Sequence, residues 1–154
     1  MSSKKGGIPV WAILNLLFGI ISFVGMFLPY LTIFLLFLIW PISSFQLASL
    51  AGAFLFVYVI PIGAILAIVF SGLAIVPSMA GRAKMLSVLV LVMGLLVFAG
   101  SMIVYLSTVQ LLGATATIFG FPIAFVSVGI GLYIDMIAGI LLVIFGIMMA
   151  LKGP

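Results

Sequence analysis

The sequence predicts an all-α integral membrane protein, a four-transmembrane-helix bundle with both termini on the cytoplasmic side. Composition, four long apolar runs and the positions of the basic residues support this fold class. Of 154 residues, 68% are hydrophobic and only 4% are charged, and the mean hydropathy is +1.72. A soluble domain carries roughly 25% charged residues, so most of this surface must be solvated by lipid. We expect a single transmembrane domain over residues 1–154.

Four apolar runs are long enough to cross a bilayer as helices, which takes about 20 residues each. We expect spans at about 8–30, 52–76, 85–107 and 125–151. The first run follows Lys4 and Lys5, as the apolar core of a secretory signal does, but no Ala-x-Ala-like cleavage site follows Gly25. The first run is therefore expected to remain in the protein as a span.

An uncharged connection of about 31–50 joins the first two predicted spans. Its apolar part, 31–40, is too short to cross the membrane as a helix. Either Pro29 kinks the first helix and lets it continue outward, or the run lies flat at the membrane interface. The connection at 108–121 between spans three and four also lacks charge.

The basic residues predict the orientation, because lysine and arginine near the ends of spans are retained in the cytoplasm. All of them fall on one side of a four-span chain: Lys4, Lys5, Arg82, Lys84 and Lys152. Tyrosine prefers the water–lipid boundary, and the tyrosines fall near the opposite ends of the spans: Tyr30, Tyr58, Tyr105 and Tyr133. The two patterns agree on a multi-pass protein of the cell membrane with both termini cytoplasmic.

Asp135 is the only acidic residue of the chain and lies within span four. Counting back from Lys152 at about 1.5 Å per residue places it inside the hydrocarbon, near its outer edge. An acid at this depth is a candidate proton or cation carrier. The structural alternative is an aspartate that is hydrogen-bonded to its neighbours and holds the bundle together. The possible partners at a similar depth are Ser22, Tyr58, Ser101 and Tyr105.

Small residues predict two helix-packing faces, because they let neighbouring backbones approach closely. On span four they recur mostly at four-residue steps around Asp135: Ser127, Gly131, Gly139, Gly146 and Ala150. On span one, Asn15 shares a face with Ala12, Gly19 and Ser22. We expect Asn15 to form an interhelical hydrogen bond.

The residues that most enzymes use are missing. The chain has no cysteine and no histidine, which excludes thiolate chemistry and imidazole metal sites. Since pairs of nucleophile and base are also missing, we expect no enzyme activity, no metal and no cofactor. The few basic residues form no broad patch, so we do not expect a nucleic-acid partner.

The layout resembles several four-span families without matching any of them. The lone Asp135 in span four is similar to the carboxylate of the double-hairpin proteolipid of rotary ATPases, but span one holds only Gly19 and Gly25 in its middle. Claudins and tetraspanins share four spans with inner termini, but the cysteines of their outer loops are absent here. We therefore assign no family.

The function that these features favour is that of a non-catalytic polytopic membrane subunit. It would assemble with copies of itself, or pack as an accessory or structural subunit of a larger membrane complex. The alternative is a small proton- or cation-conducting channel or carrier that uses Asp135. Because large exposed apolar patches usually mark contact sites, we expect Phe34, Phe37 and Trp40 to contact such partners, with the lipid bilayer around the spans.

Overall fold

The structure is a computed structural model, and it describes residues 9–35, 38–44, 46–47, 55–112, 116–118 and 121–153. It is mostly helical. Its long helices are α1 (Val10–Gly25), α2 (Leu55–Ile75), α3 (Ala83–Leu112) and α4 (Ile130–Lys152). A 3-10 helix, η1 (Pro77–Arg82), connects α2 to α3. The strands are β1 (Pro29–Leu35), β2 (Leu38–Ser43), β3 (Ala116–Ile118) and β4 (Phe121–Val128).

Within the described residues, three helical stretches are long and apolar enough to cross a membrane: Tyr58–Ile75, Pro77–Gln110 and Ile130–Lys152. Helix α1 is also apolar but has only 16 residues, which corresponds to about 24 Å against a hydrocarbon core of about 30 Å. Long apolar helices of this kind indicate insertion into a membrane.

The four long helices pack side by side, and we call them together the helical body. Helices α1 and α3 each contact both α2 and α4. One core cluster contains Ala12, Ala74 and Met149, and a second contains Tyr30 and Ile60. In the first cluster, the beginning of α1 packs on the end of α2. In the second cluster, Tyr30, which follows α1, packs near the beginning of α2. These two helices therefore run in opposite directions. The helical body thus has a turn end, beside η1, and a sheet end, beside the strands.

A four-stranded antiparallel sheet forms from the two uncharged connections and the adjoining ends of spans one and four, so the prediction of an all-α fold is wrong in this region. The strand order is β2-β1-β4-β3. Strand β1 pairs with β2 up to Leu35↔Leu38 and with β4 up to Leu35↔Ala124. The apolar run at 31–40 therefore does not continue the first helix. Its aromatic and β-branched residues suit a pleated surface, and β4 supplies the pairing partner.

The helix boundaries also differ from the predicted spans. Helix α1 ends at Gly25, although span one was predicted to reach residue 30. Pro29 is the cause, because proline has no N–H to continue the helix and disfavours helical backbone at the preceding residue. Helix α4 begins at Ile130 instead of 125, since residues 121–128 pair as β4. Helix α3 extends to Leu112, beyond the predicted 107.

The described basic residues share the turn end. The Lys152 Nζ lies 5.4 Å from the centre of the Trp11 ring, and Trp11 packs on the same cluster as Met79 of η1. Arg82 is the last residue of η1, and Lys84 lies in the first turn of α3. Residues 4 and 5 lie outside the described residues. The basic residues of the described helices therefore collect at the end opposite to the sheet.

Candidate functional site

Asp135 is fully buried in the second turn of α4, and both of its carboxyl oxygens accept hydrogen bonds. The Ser22 Oγ donates to Oδ1 over 2.6 Å. The phenolic hydroxyl of Tyr30 donates to Oδ2. Ser22 lies in the last turns of α1 and Tyr30 in β1. The carboxyl group therefore joins two helices and one strand at the sheet end.

Tyr30 extends this contact into the sheet. Its ring is fully buried, and the buried Ser44, which follows β2, also hydrogen-bonds its side chain. Burial and, after it, the neighbouring Asp135 raise the pKa of Tyr30 above its usual value. The phenol therefore stays protonated, and its O–H donates a hydrogen bond to the carboxyl group. We call Ser22, Tyr30, Ser44 and Asp135 the Asp135 cluster.

Two glycines let α1 and α4 approach closely enough for these bonds. A Cβ on Gly131 would lie 2.6 Å from the carbonyl oxygen of Gly25 and 2.9 Å from that of Leu28. A Cβ on Gly25 would lie 3.1 Å from Oδ1 of Asp135. Because these obstacles include backbone atoms, a larger residue at position 131 would push the end of α1 away from α4. The two glycines thus set the separation of α1 and α4 at which the Ser22 hydroxyl can bond to Asp135.

Of the four partners predicted for Asp135, the structure brings Ser22 to it. The Ser101 hydroxyl instead donates to the carbonyl of Val97, over 2.8 Å, within its own helix. The Tyr105 ring lies 6.1 Å from the Tyr133 ring, and Tyr58 is 49% exposed.

Sequence reasoning missed Tyr30 and Ser44 as members of this site. Tyr30 was assigned to the end of span one and to the membrane boundary, and Ser44 to an outer connection. Pro29 is the signal that could have found Tyr30, because a chain that leaves the helix there can turn this side chain back towards Asp135.

The predicted small-residue face of span four serves two neighbours rather than one. Gly131 packs on the end of α1, whereas a Cβ on Gly139 would lie 2.7 Å from the backbone nitrogen of Phe98 in α3. Four-residue steps exceed the 3.6 residues of a helical turn, so the row of small residues rotates around α4. It continues to Gly146, which also packs on α3, and to the half-buried Ala150. Ser127 lies in β4 opposite Thr32, not on a helix.

The small-residue face of α1 is buried along its whole length: Ala12, Asn15, Gly19, Ser22 and Gly25. Asn15 of α1 and Ser71 of α2 are both fully buried. In the described part of the chain, neither the amide oxygen nor the amide nitrogen of Asn15 has a hydrogen-bond partner, and the Ser71 hydroxyl has none either. The interhelical hydrogen bond predicted for Asn15 is therefore not formed with any of the described residues.

Strand β2 is an edge of the sheet and carries exposed apolar side chains. Leu38, Ile39 and Trp40 are 70%, 66% and 69% exposed. Phe34, by contrast, is half-buried in the central strand β1, opposite Ile39 and beside β4. Phe37 lies outside the described residues. Of the two predicted partner contacts that the structure describes, Trp40 thus lies on the edge strand and Phe34 does not.

Among the described residues, no group of three or more acidic, histidine or cysteine side chains could hold a metal ion. Comparison with protein-family models, with curated proteins and with solved structures finds no match to this chain. Any functional conclusion therefore depends on the Asp135 cluster, on the buried residues Asn15 and Ser71, and on the exposed edge strand β2.

Proposed function

We propose that this chain is a non-catalytic polytopic membrane subunit that assembles with copies of itself or within a larger membrane complex. The observation that carries the proposal is the exposed apolar edge of β2. Unpaired N–H and C=O groups at a sheet edge can pair with another chain, and here Leu38, Ile39 and Trp40 add apolar contact area. No charged residue occurs between Lys5 and Arg82 to keep this edge in water.

The Asp135 cluster supports a structural role for the acid within this subunit. Both carboxyl oxygens are occupied by hydroxyl donors, and the side chain has no exposed surface. A satisfied polar network of this kind fixes one arrangement of the elements that it joins. In the proposed subunit, it holds the sheet against the membrane-spanning helices.

A small proton or cation carrier is the second candidate. The observation that favours it is a carboxyl group buried among apolar helices, which is rare outside ion pathways. A carrier needs water to reach Asp135 from both sides of the membrane, whereas a structural subunit needs dry packing around it. The two candidates therefore differ in whether Asp135→Asn changes transport or only stability.

The proposed orientation is a four-helix bundle in the cell membrane with the turn end and both termini in the cytoplasm. The described basic residues at the turn end support it. Because the chain has no cysteine, Ser78→Cys and Gln46→Cys each introduce a single thiol at an exposed position, at the turn end and after β2 at the sheet end. In intact cells, a membrane-impermeant thiol reagent should label Gln46→Cys only. Labelling of Ser78→Cys from outside would reverse the orientation.

Native mass measurement in a mild detergent tests the assembly. We expect the wild-type chain to run as a multimer or with co-purifying subunits, and Ile39→Glu and Trp40→Glu to release inserted monomers. Both variants are needed because successive side chains of a strand point to opposite faces. Ser78→Glu, an exposed position in η1, is the matched control and should leave the mass unchanged. A wild-type monomer, with both edge variants silent, would contradict the proposal.

A further inference from the structure

We propose that Asn15 and Ser71 together bind a single water molecule between α1 and α2. Both side chains are completely buried, and in the described part of the chain their three polar atoms have no hydrogen-bond partner. An amide in this state lacks both an acceptor for its N–H groups and a donor for its oxygen. This site is separate from the Asp135 cluster and goes beyond the proposed role as a subunit.

The packing of the two helices places these residues at one level. A Cβ on Gly19 would lie 3.3 Å from the backbone nitrogen of Ile68, so these two positions face each other. Because α1 and α2 run in opposite directions, one turn towards the turn end leads from Gly19 to Asn15 and from Ile68 to Ser71. The flanking residues Ala12 and Ala74 share one core cluster, which agrees with this register.

Ser71 differs from the other buried hydroxyl residues of the helices. Ser101 and Thr108 donate to carbonyl groups one turn back in their own helix, over 2.8 and 2.7 Å. Ser87 likewise donates to the carbonyl of Lys84, over 2.7 Å. Ser71 makes no such bond, so its hydroxyl is available to a ligand between the helices.

The chemistry of the pair selects a small neutral ligand. The ligand must accept from the amide nitrogen of Asn15, donate to its amide oxygen, and bond to the Ser71 hydroxyl. Water meets this requirement, since buried waters typically make two to four hydrogen bonds to polar groups that lack protein partners. A cation has no acidic ligand here, because Asp135, the chain's only acid, contacts Ser22, about two turns further along α1.

The chain permits a direct test because Asn15 is its only asparagine. Isotope labelling of asparagine side chains therefore gives one amide signal pair, and cross-relaxation with water can be measured on it by nuclear magnetic resonance in detergent micelles. We expect a water cross-peak in the wild-type chain. Ser71→Ala should weaken it, because this change removes one hydrogen-bond partner of the water but leaves room for it. Ser71→Val should abolish it, because the added methyl groups fill that room.

Ser87→Val is the matched control, since Ser87 is equally buried but bonded to its own helix, and it should keep the cross-peak. Absence of the cross-peak in the wild-type chain would overturn the proposal. An unchanged cross-peak in Ser71→Ala would also overturn it, because Ser71 would then take no part in binding the water. Its retention in Ser71→Val would place the water elsewhere. If Ser71→Val does not fold, the wild-type and Ser71→Ala spectra decide.

Discussion

Two polar centres lie on the same buried face of α1, but only one of them has hydrogen-bond partners among the described residues. At the sheet end, Ser22 reaches Asp135, whose second oxygen is bonded by Tyr30. About two turns away, Asn15 faces α2 with no protein partner among the described residues. A buried polar group stabilises a fold only where its hydrogen bonds are made. The first centre therefore joins the helices to the sheet, whereas the second contributes little net stability.

Asp135→Leu should have the largest effect, because it leaves the buried hydroxyl groups of Ser22 and Tyr30 without an acceptor. At about 1–3 kcal/mol for each unsatisfied group, we expect the free energy of unfolding to fall by roughly 3 kcal/mol or more. Asp135→Asn keeps an acceptor and should cost about 1 kcal/mol. Denaturant unfolding in micelles, followed by circular dichroism, measures both. Equal losses for the two variants would show that the hydroxyl bonds do not carry this stability.

Gly131→Ala should come next, at about 1–3 kcal/mol of destabilisation, because overpacked positions force the backbone to move. The added Cβ would lie 2.6 Å from the carbonyl oxygen of Gly25. Gly72→Ala is the matched control, since a Cβ there meets nothing within 4 Å. That variant should be neutral, or more stable by up to about 1 kcal/mol. If both alanine variants lower the free energy of unfolding equally, the glycine at position 131 is not needed for the close approach of α1 and α4.

Tyr30→Phe should cost about 1–2 kcal/mol, because it removes one hydrogen-bond donor from Asp135 and leaves the ring in place. The matched control is Tyr58→Phe at the half-exposed Tyr58, which should stay within about 0.5 kcal/mol of the wild-type chain. The same unfolding measurement serves for both. If Tyr30→Phe leaves the free energy of unfolding unchanged, the hydrogen bond between the sheet and Asp135 does not stabilise the helices.

Asn15→Leu should have the smallest effect, in contrast with Asp135→Leu. Replacing an amide that has no protein partner with an apolar side chain of similar size removes little, so we expect a change within about 1 kcal/mol in either direction. The two leucine variants thus distinguish the two centres by how much free energy of unfolding each one loses. A loss as large as that of Asp135→Leu would mean that Asn15 has strong bonds of its own.

The helices could be predicted from the sequence because composition and run length decide whether a segment suits lipid. The small-residue face of α1 was also predictable, since the spacing of Asn15, Gly19 and Ser22 fixes which residues share a side of the helix. That Asp135 faces protein followed from the glycines around it. These features depend on local periodicity alone.

The sheet could not be predicted in this way, because β1 pairs with β4 across a sequence separation that includes two long helices. Its apolar run shows no alternation of polar and apolar residues that would favour a strand. Ser22 was predicted as a partner of Asp135 and is one, but Tyr30 was missed for a related reason. Depth arithmetic placed Ser101 at a suitable level, but the rotation of α3 and the turn after Gly25 decide which hydroxyl groups reach the carboxyl group.

Proton flux into liposomes tests whether Asp135 is a structural junction in a non-catalytic subunit. The wild-type chain and Asp135→Asn are reconstituted at equal density, after native mass measurement has shown the same assembly for both. We expect both to give the flux of protein-free liposomes under an imposed pH gradient and membrane potential. A wild-type flux that Asp135→Asn abolishes, with the assembly intact, would contradict it and establish the carrier.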